Sequence, residues 1–284
     1  MKLNTQEALI AYLFIFPTLF VIFVINFYPL FRTLYLSLFR KVVGAEEVFI
    51  GFKNYITLFT SDTFWMVILV TVLFTGLSVA LKMLLGLFVA LVINRPSKLR
   101  GILRSVVLLP WAIPIYVSAY VWVWLYNPQL GLFNLLTEAL GLGTFYWLQD
   151  YPMMGVVLSY VWRTYPFVAL ALLAGLQSIK QELYESASID GATPLKTFRY
   201  VTLPHLKSLI LILVTLQILW SFGEFVTIWI LTAGGPGNAT KTIPIYIFEL
   251  AFTSQDLGLA SALSIVALPI FLMLIIMVIR FIRE

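Results

Sequence analysis

The chain has 284 residues, of which 61% are hydrophobic and 11% are charged, and its mean hydropathy is +0.99. A soluble domain of this size would need far more polar surface, so the composition predicts a polytopic membrane protein. The chain has no cysteine, which excludes disulfides, thiol catalysis and cysteine-ligated metals, and its single histidine, His205, cannot build a multi-histidine metal site alone. The net charge of +5 comes from basic residues scattered between apolar segments, a pattern that indicates membrane topology rather than nucleic-acid binding.

Six apolar segments are long enough to cross a bilayer as helices, which predicts an all-α membrane protein with a single transmembrane domain over residues 1–284. The predicted spans are approximately 9–28, 64–93, 105–126, 153–176, 208–231 and 257–282. The first is too long and uninterrupted for the apolar region of a signal peptide, so we expect an anchor. Pro110 and Pro114 lie in the third span and predict a kink or break there.

The distribution of basic residues predicts the orientation of the chain. With six spans both termini lie on one side, and 11 of the 18 lysines and arginines fall on that side. Four fall on the other side, and the remaining three, Arg32, Lys82 and Arg163, lie within or at the edge of spans. The positive-inside rule therefore predicts a multi-pass protein of the plasma (inner) membrane with both termini in the cytoplasm.

A polar segment at residues 178–206 separates the fourth and fifth spans. Ser178 begins a predicted capping box, which favours the start of a helix there. Gly191 is a natural point for this helix to end. Thr193 as a cap and Pro194 at the first helical position predict that a second helix follows. The expected product is a short helix, an elbow and another helix, too polar to cross lipid and located in the cytoplasm.

This segment carries a recognisable signature. It reads Glu185-Ser186-Ala187, then Gly191 after three residues, then Val201-Thr202-Leu203-Pro204 after nine more. The pattern resembles the EAA signature of ABC importer permeases, with Ser186 in place of the usual alanine and Val201 in place of isoleucine. Flanking motifs, Leu109-Pro110-Trp111-Ala112-Ile113-Pro114 and Leu231-Thr232-Ala233-Gly234-Gly235-Pro236, resemble carbohydrate-uptake permeases of the maltose and glycerol-phosphate type. The resemblance covers nearly the whole chain from Leu9.

The resemblance implies a type I ABC importer permease of MetI-like architecture, with the polar segment as a coupling helix that docks on a cytoplasmic ATPase. The implied coupling residues are Glu185, Ser186, Ala187, Asp190, Gly191, Leu203 and Pro204. The implied partners are a second homologous permease chain, two copies of a P-loop ATPase, an extracytoplasmic sugar-binding protein and the lipid bilayer, with no nucleic acid. A heterodimer of permeases is expected over a homodimer. The alternative is that the segment merely links two spans.

The chain itself is not expected to bind ATP. None of its 16 glycines begins the Gly-x4-Gly-Lys-[Ser/Thr] motif that cradles phosphates. We therefore expect ATP and magnesium on the partner ATPase subunits, and no cofactor, metal or catalytic residue on this chain.

Buried charges in the spans point to a substrate site. At a rise of 1.5 Å per residue, Arg163 and Glu224 lie about 20 and 25 Å from the cytoplasmic ends of their helices, so they can meet. They either form an ion pair that only fixes packing, or line a polar cavity that binds sugar hydroxyls. Lys82 is expected to snorkel or to have a local partner. By resemblance, the substrate contacts are Tyr160, Arg163, Thr164, Phe167, Gln217, Trp220 and Ser221, with Glu224 one turn further out.

These features predict a permease subunit of an ATP-driven, binding-protein-dependent ABC importer. It would form half of the alternating-access pathway for a sugar, an oligosaccharide such as maltose or trehalose. A secondary transporter or channel for a polar solute also explains broken helices and buried charges, but not the polar cytoplasmic segment. A membrane enzyme is disfavoured because no paired catalytic carboxylates, histidine cluster or nucleophile elbow is present.

Overall fold

The computed structural model describes residues 5–96 and 98–283 of the chain. Apart from one short antiparallel hairpin, the regular structure within these residues is helical. In chain order the elements are α1 (Thr5–Ser37), β1 (Phe39–Arg40), β2 (Val48–Phe49), α2 (Lys53–Phe59), α3 (Asp62–Asn94), α4 (Arg100–Ala112), α5 (Ile115–Leu125), α6 (Leu132–Ala139), α7 (Trp147–Asp150), α8 (Pro152–Ser178), α9 (Gln181–Ile189), α10 (Pro194–Thr197), α11 (Leu203–Phe222), α12 (Val226–Thr232), α13 (Ile243–Phe248) and α14 (Leu257–Arg283). Two π-helical turns, Phe198–Thr202 and Glu249–Thr253, follow α10 and α13.

Five helical segments are long and apolar enough to cross a membrane: Tyr12–Ser37, Asp62–Asn94, Pro152–Ser178, Pro194–Phe222 and Leu257–Arg280. The pair α4 and α5 passes the same test together, with a bend of 91° between the two helices, and it makes a sixth span when it is counted as one broken span. The predicted all-α membrane fold is confirmed.

The bend between α4 and α5 has a local cause in the sequence. Pro114 disfavours helical backbone at the residue before it, and Ile113 is accordingly extended, with φ −72° and ψ 130°. Pro114 is itself extended and precedes the first turn of α5. Pro110 lies buried inside α4. The break predicted for the third span is therefore confirmed.

The fifth span differs from the continuous 208–231 helix that hydropathy predicted. The helix already begins at Pro194, passes through a π-helical turn and ends at Phe222. Gly223 to Phe225 are not helical, and α12 follows as a separate short helix. The Glu224 carboxylate accepts a hydrogen bond from the Thr227 N–H at 2.7 Å, which stabilises a new helix start in the middle of an apolar run.

The chain forms two compact units. The first comprises Met1–Phe64 and Tyr246–Pro269, and Asn54 is a centre of its hydrogen bonding. Asn54 is buried, and its amide donates to the carbonyl oxygens of Ser37 and Phe39 at 2.8 and 2.9 Å. These bonds attach α2 to the end of α1 and to the hairpin.

The second unit comprises Trp65–Ile245 and Ile270–Glu284 and has two apolar clusters. One joins α3, α5, α8 and α12 through buried residues that include Phe74, Trp122, Tyr160 and Ile228. The other packs α8 against α3 and α11, with Leu172 and Leu206 among its buried members. Together they fix α8 at the centre of the unit, where the candidate site lies.

Candidate functional site

A cavity of about 480 Å³ lies between α4, α8 and the end of α11. Its lining combines aromatic, charged and hydroxyl side chains: Trp111, Tyr160, Arg163, Thr164, Leu219, Trp220, Gly223 and Glu224. A concave site with a few convergent polar groups on an apolar wall is typical of small-molecule binding.

Two helices supply most of this lining. Tyr160, Arg163 and Thr164 share one face of α8 because residues three and four apart are neighbours on a helix. Trp220 lies in the last turn of α11, and Glu224 lies two residues beyond the end of that helix. The structure therefore brings together five of the eight side chains predicted to contact substrate.

The aromatic part of the cavity extends beyond its immediate lining. Phe167 does not line the cavity, but its ring meets the Trp220 ring edge to face, with centroids 4.9 Å apart. The centroid of the Trp111 ring lies 6.2 Å from the centroid of the same Phe167 ring. Phe167 thus supports two indole rings whose flat faces suit the apolar face of a sugar ring.

The two predicted charges both reach the cavity but are not paired with each other. In the part of the chain that the structure describes, Arg163 and Glu224 form no ion pair. The Glu224 carboxylate accepts from the backbone of Thr227, and Arg163 Nε has no hydrogen-bond partner. The ion pair considered from the sequence is therefore not formed in these residues, and both side chains line the cavity.

The other predicted contacts lie behind the cavity wall. Ser221 is buried and accepts a hydrogen bond from Lys82 Nζ at 2.8 Å. Gln217 is fully buried, and neither polar atom of its amide has a partner in the described residues. Lys82 is buried too, so the expectation that it snorkels is wrong, and its hydrogen-bond partner Ser221 is distant in the sequence rather than local.

Sequence reasoning missed three residues of the lining and one behind it. Trp111, Leu219 and Gly223 line the cavity, and Lys82 contacts residues of the site. Trp111 could have been found because it follows Pro110 next to a predicted break. No sequence signal connected Lys82 with Ser221, which lies 139 residues away.

The polar segment forms the predicted helix, elbow and helix, with one correction. Ser178 does not cap α9, because it belongs to the last turn of α8, where its hydroxyl donates to the Gly175 carbonyl at 2.8 Å. Gly191 follows the end of α9 with a left-handed φ of +72°. The Thr193 side chain accepts from the Lys196 N–H, so the predicted second cap is confirmed.

The predicted coupling residues lie on the surface of this segment. Glu185, Ser186, Asp190, Gly191, Leu203 and Pro204 are exposed, and Ala187 is partly buried. Beside them, Ile189, Leu195 and Tyr200 are 87%, 76% and 69% exposed. The segment therefore presents apolar side chains that its own chain does not cover.

A hydrogen bond ties the segment to the fifth span. The Tyr184 hydroxyl lies 3.3 Å from Thr202 Oγ1, in the π-helical turn just before α11. This hydrogen bond therefore connects α9 with the helix that carries cavity residues at its other end.

Comparison with known proteins gives the class. The family model described as "Binding-protein-dependent transport system inner membrane component" matches residues 82–283. The chain is 41% identical to the trehalose/maltose transport system permease protein MalF of Thermococcus litoralis, over 93% of this chain and 90% of that protein. It is 32% identical to the sulfoquinovosyl glycerol transport system permease protein SmoG of Agrobacterium fabrum, over 99% of this chain and 92% of that one.

A solved structure agrees with these relatives. The crystal structure of a bacterial alginate ABC transporter, in complex with an alginate pentasaccharide-bound periplasmic protein, contains a chain with a TM-score of 0.80 and 26% identity. The match covers 94% of this chain and 93% of that one.

The spans, the broken helices and the cavity between them define a multi-pass membrane transport subunit. The chain belongs to the family of binding-protein-dependent transport system inner membrane components, the permease subunits of ABC importers. The predicted resemblance is confirmed, and the relatives are permeases rather than enzymes.

Proposed function

We propose that this permease forms half of the translocation pathway of an ABC importer for an oligosaccharide such as trehalose or maltose. The observation that carries the proposal is the cavity, in which Trp111 and Trp220 offer apolar faces while Arg163 and Glu224 offer unpaired charged groups. Sugars present such a combination of apolar ring faces and hydroxyl groups. The MalF relative at 41% identity is named for trehalose and maltose, which supports this substrate class.

The coupling segment gives the proposed assembly. Its exposed apolar side chains, Ile189 and Leu195 among them, would dock in a groove of a cytoplasmic P-loop ATPase. Two copies of that ATPase would bind ATP and magnesium, and a second homologous permease would complete a heterodimer. A sugar-binding protein would meet the loops around Gly51 to Tyr55 and Gly234 to Asn238 on the opposite side, and both termini would be cytoplasmic.

The substrate is tested by ATPase stimulation in the reconstituted complex with its binding protein. We expect trehalose or maltose to stimulate hydrolysis more strongly than alginate oligosaccharides or other acidic sugars. Stimulation by acidic sugars alone would move the proposal to an anionic substrate bound through Arg163. Purification of the chain without any ATPase, with transport driven by an ion gradient, would support a secondary transporter instead.

The site is tested by Trp220→Ala and Glu224→Gln in the same assay. Each is expected to raise the half-saturating sugar concentration by about tenfold, because one stacking face or one charged hydrogen bond is lost. Trp124→Ala and Glu138→Gln are the matched controls, because these exposed residues lie outside the cavity lining. Unchanged transport in both cavity variants would contradict the site.

A further inference from the structure

Lys82 is a buried cation in the middle of a span. None of its surface is exposed, and its Nζ lies 2.8 Å from Ser221 Oγ and 4.5 Å from the centre of the Tyr160 ring. Among the described residues, no carboxylate forms an ion pair with it. Burial of an ammonium group without such a partner is costly, and ionisable residues within spans are functional candidates for that reason.

The partners of Lys82 connect it with two walls of the cavity. Tyr160 lines the cavity from α8. Ser221 lies in the last turn of α11, and its carbonyl oxygen accepts from the Glu224 N–H at 3.2 Å. The ammonium group therefore lies behind the cavity and contacts both a ring in one wall and the helix end that carries a carboxylate in the other.

The orientation of Lys82 follows from a polar face on α3. Thr71, Thr75, Ser78 and Lys82 are spaced by four, three and four residues, and all four are buried. This spacing places side chains on one side of a helix. Thr71 Oγ1 accepts from the backbone N–H of Ile243 at 2.9 Å, so this side of α3 faces protein rather than lipid.

We propose that Lys82 is a positioning residue of the substrate site, which fixes Tyr160 and Ser221 in the geometry that sugar binding requires. This inference rests on the proposed function of the cavity. The lysine ammonium donates a hydrogen bond to Ser221 Oγ, which orients the serine hydroxyl. Its positive charge also attracts the face of the Tyr160 ring and so fixes the position of that ring. By this route α3 contributes to substrate affinity without lining the cavity.

Lys82→Met is the primary test, because methionine retains an apolar stem and removes the ammonium group. We expect the half-saturating sugar concentration to rise about tenfold, the size of the loss of one hydrogen bond to a charged group. The maximal rate and the yield of assembled complex should change by less than about twofold. Lys82→Arg, which keeps charge and donors, should restore part of the affinity. A wild-type half-saturating concentration in Lys82→Met would overturn the inference.

A double-mutant cycle with Ser221→Ala tests the route of the effect. If Lys82 acts through Ser221, the half-saturating sugar concentration of the double variant should be close to that of the weaker-binding single variant. Fully additive effects of the two substitutions on this concentration would contradict that route. If Lys82→Met does not assemble, Lys82→Gln takes its place. Failure of both to assemble would assign Lys82 a purely structural role and overturn the inference.

Trp220→Ala, measured in parallel, separates this inference from the proposed function. Unchanged transport in Trp220→Ala would contradict the cavity as the sugar site. A defect in Trp220→Ala together with normal affinity in Lys82→Met would contradict only the role of Lys82.

Discussion

Asn134 holds together the loop that connects α5 with α8. Its amide donates to the carbonyl oxygens of Pro128 and Phe145 at 3.2 and 2.9 Å. Its side-chain oxygen accepts from the Phe145 N–H and from Trp147 Nε1 at 3.0 and 3.1 Å. Only 1% of Asn134 is exposed, and the groups to which it is hydrogen-bonded are partly buried. One side chain thus fixes the loop beside the aromatic cluster that packs on α8.

Asn134→Ala should destabilise the protein by about 2 kcal/mol, because it leaves partly buried backbone and indole groups without partners. Thermal unfolding of the purified complex, followed by the fluorescence of its tryptophans, measures this effect. Gln149→Ala, at an exposed position of α7, is the control and should leave the melting temperature unchanged. Equal melting temperatures for the two variants would show that the Asn134 hydrogen bonds contribute little.

At the scale of residues, the sequence predicted the location of side chains whose depth in the membrane follows from helix geometry. Arg163 and Glu224 were placed at similar depth by counting the rise along two helices, and both line one cavity. The environment of Lys82 could not be predicted, because Tyr160 and Ser221 come from helices far away in the chain. Hydropathy assigns a lone lysine to the lipid boundary, and only tertiary packing shows that it faces protein.

At the scale of elements, proline was a better guide than hydropathy. Pro114 predicted the break between α4 and α5 because its ring restricts the residue before it. The break after Phe222 was missed, since the apolar run of α12 continues the pattern of a span. At this break the Glu224 carboxylate accepts a hydrogen bond from the backbone of Thr227. Averaged hydropathy does not detect such an interaction.

The elbow between α9 and α10 depends on backbone conformation. Gly191 has a left-handed φ of +72°, and a side chain built there would meet open space. Only backbone strain, and not crowding, therefore opposes substitution.

Gly191→Val should disturb the elbow and uncouple ATP hydrolysis from transport, because a β-branched residue disfavours this conformation. Gly191→Asn is the matched control, since asparagine tolerates the left-handed region while adding a side chain of similar size. The ratio of sugar transported to ATP hydrolysed is the measurement. A fall in both variants would indicate that side-chain bulk at the docking surface matters instead, and a fall in neither would argue against a coupling role for the elbow.

At the scale of the whole molecule, hydropathy predicts the number of spans and the distribution of basic residues predicts their orientation. Within the described residues, the structure has five helices long and apolar enough to cross a membrane and one bent pair, α4 and α5, that passes the same test together. The orientation across the membrane is a prediction from charge counting alone. It places α9 in the cytoplasm and α6, which lies between the third and fourth spans, on the opposite side.

The absence of cysteine makes this orientation directly testable, because any single introduced thiol is the only labelling site on the chain. Ser188→Cys on α9 and Ala139→Cys on α6 both place the thiol at an exposed position. In intact cells whose outer membrane, where present, admits the reagent, a membrane-impermeant maleimide should label Ala139→Cys and leave Ser188→Cys unmodified. Inverted membrane vesicles should give the reverse pattern, because the positive-inside rule places the basic loops and α9 in the cytoplasm. Labelling of Ser188→Cys in intact cells would reverse the topology, and it would exclude the coupling segment from contact with a cytoplasmic ATPase.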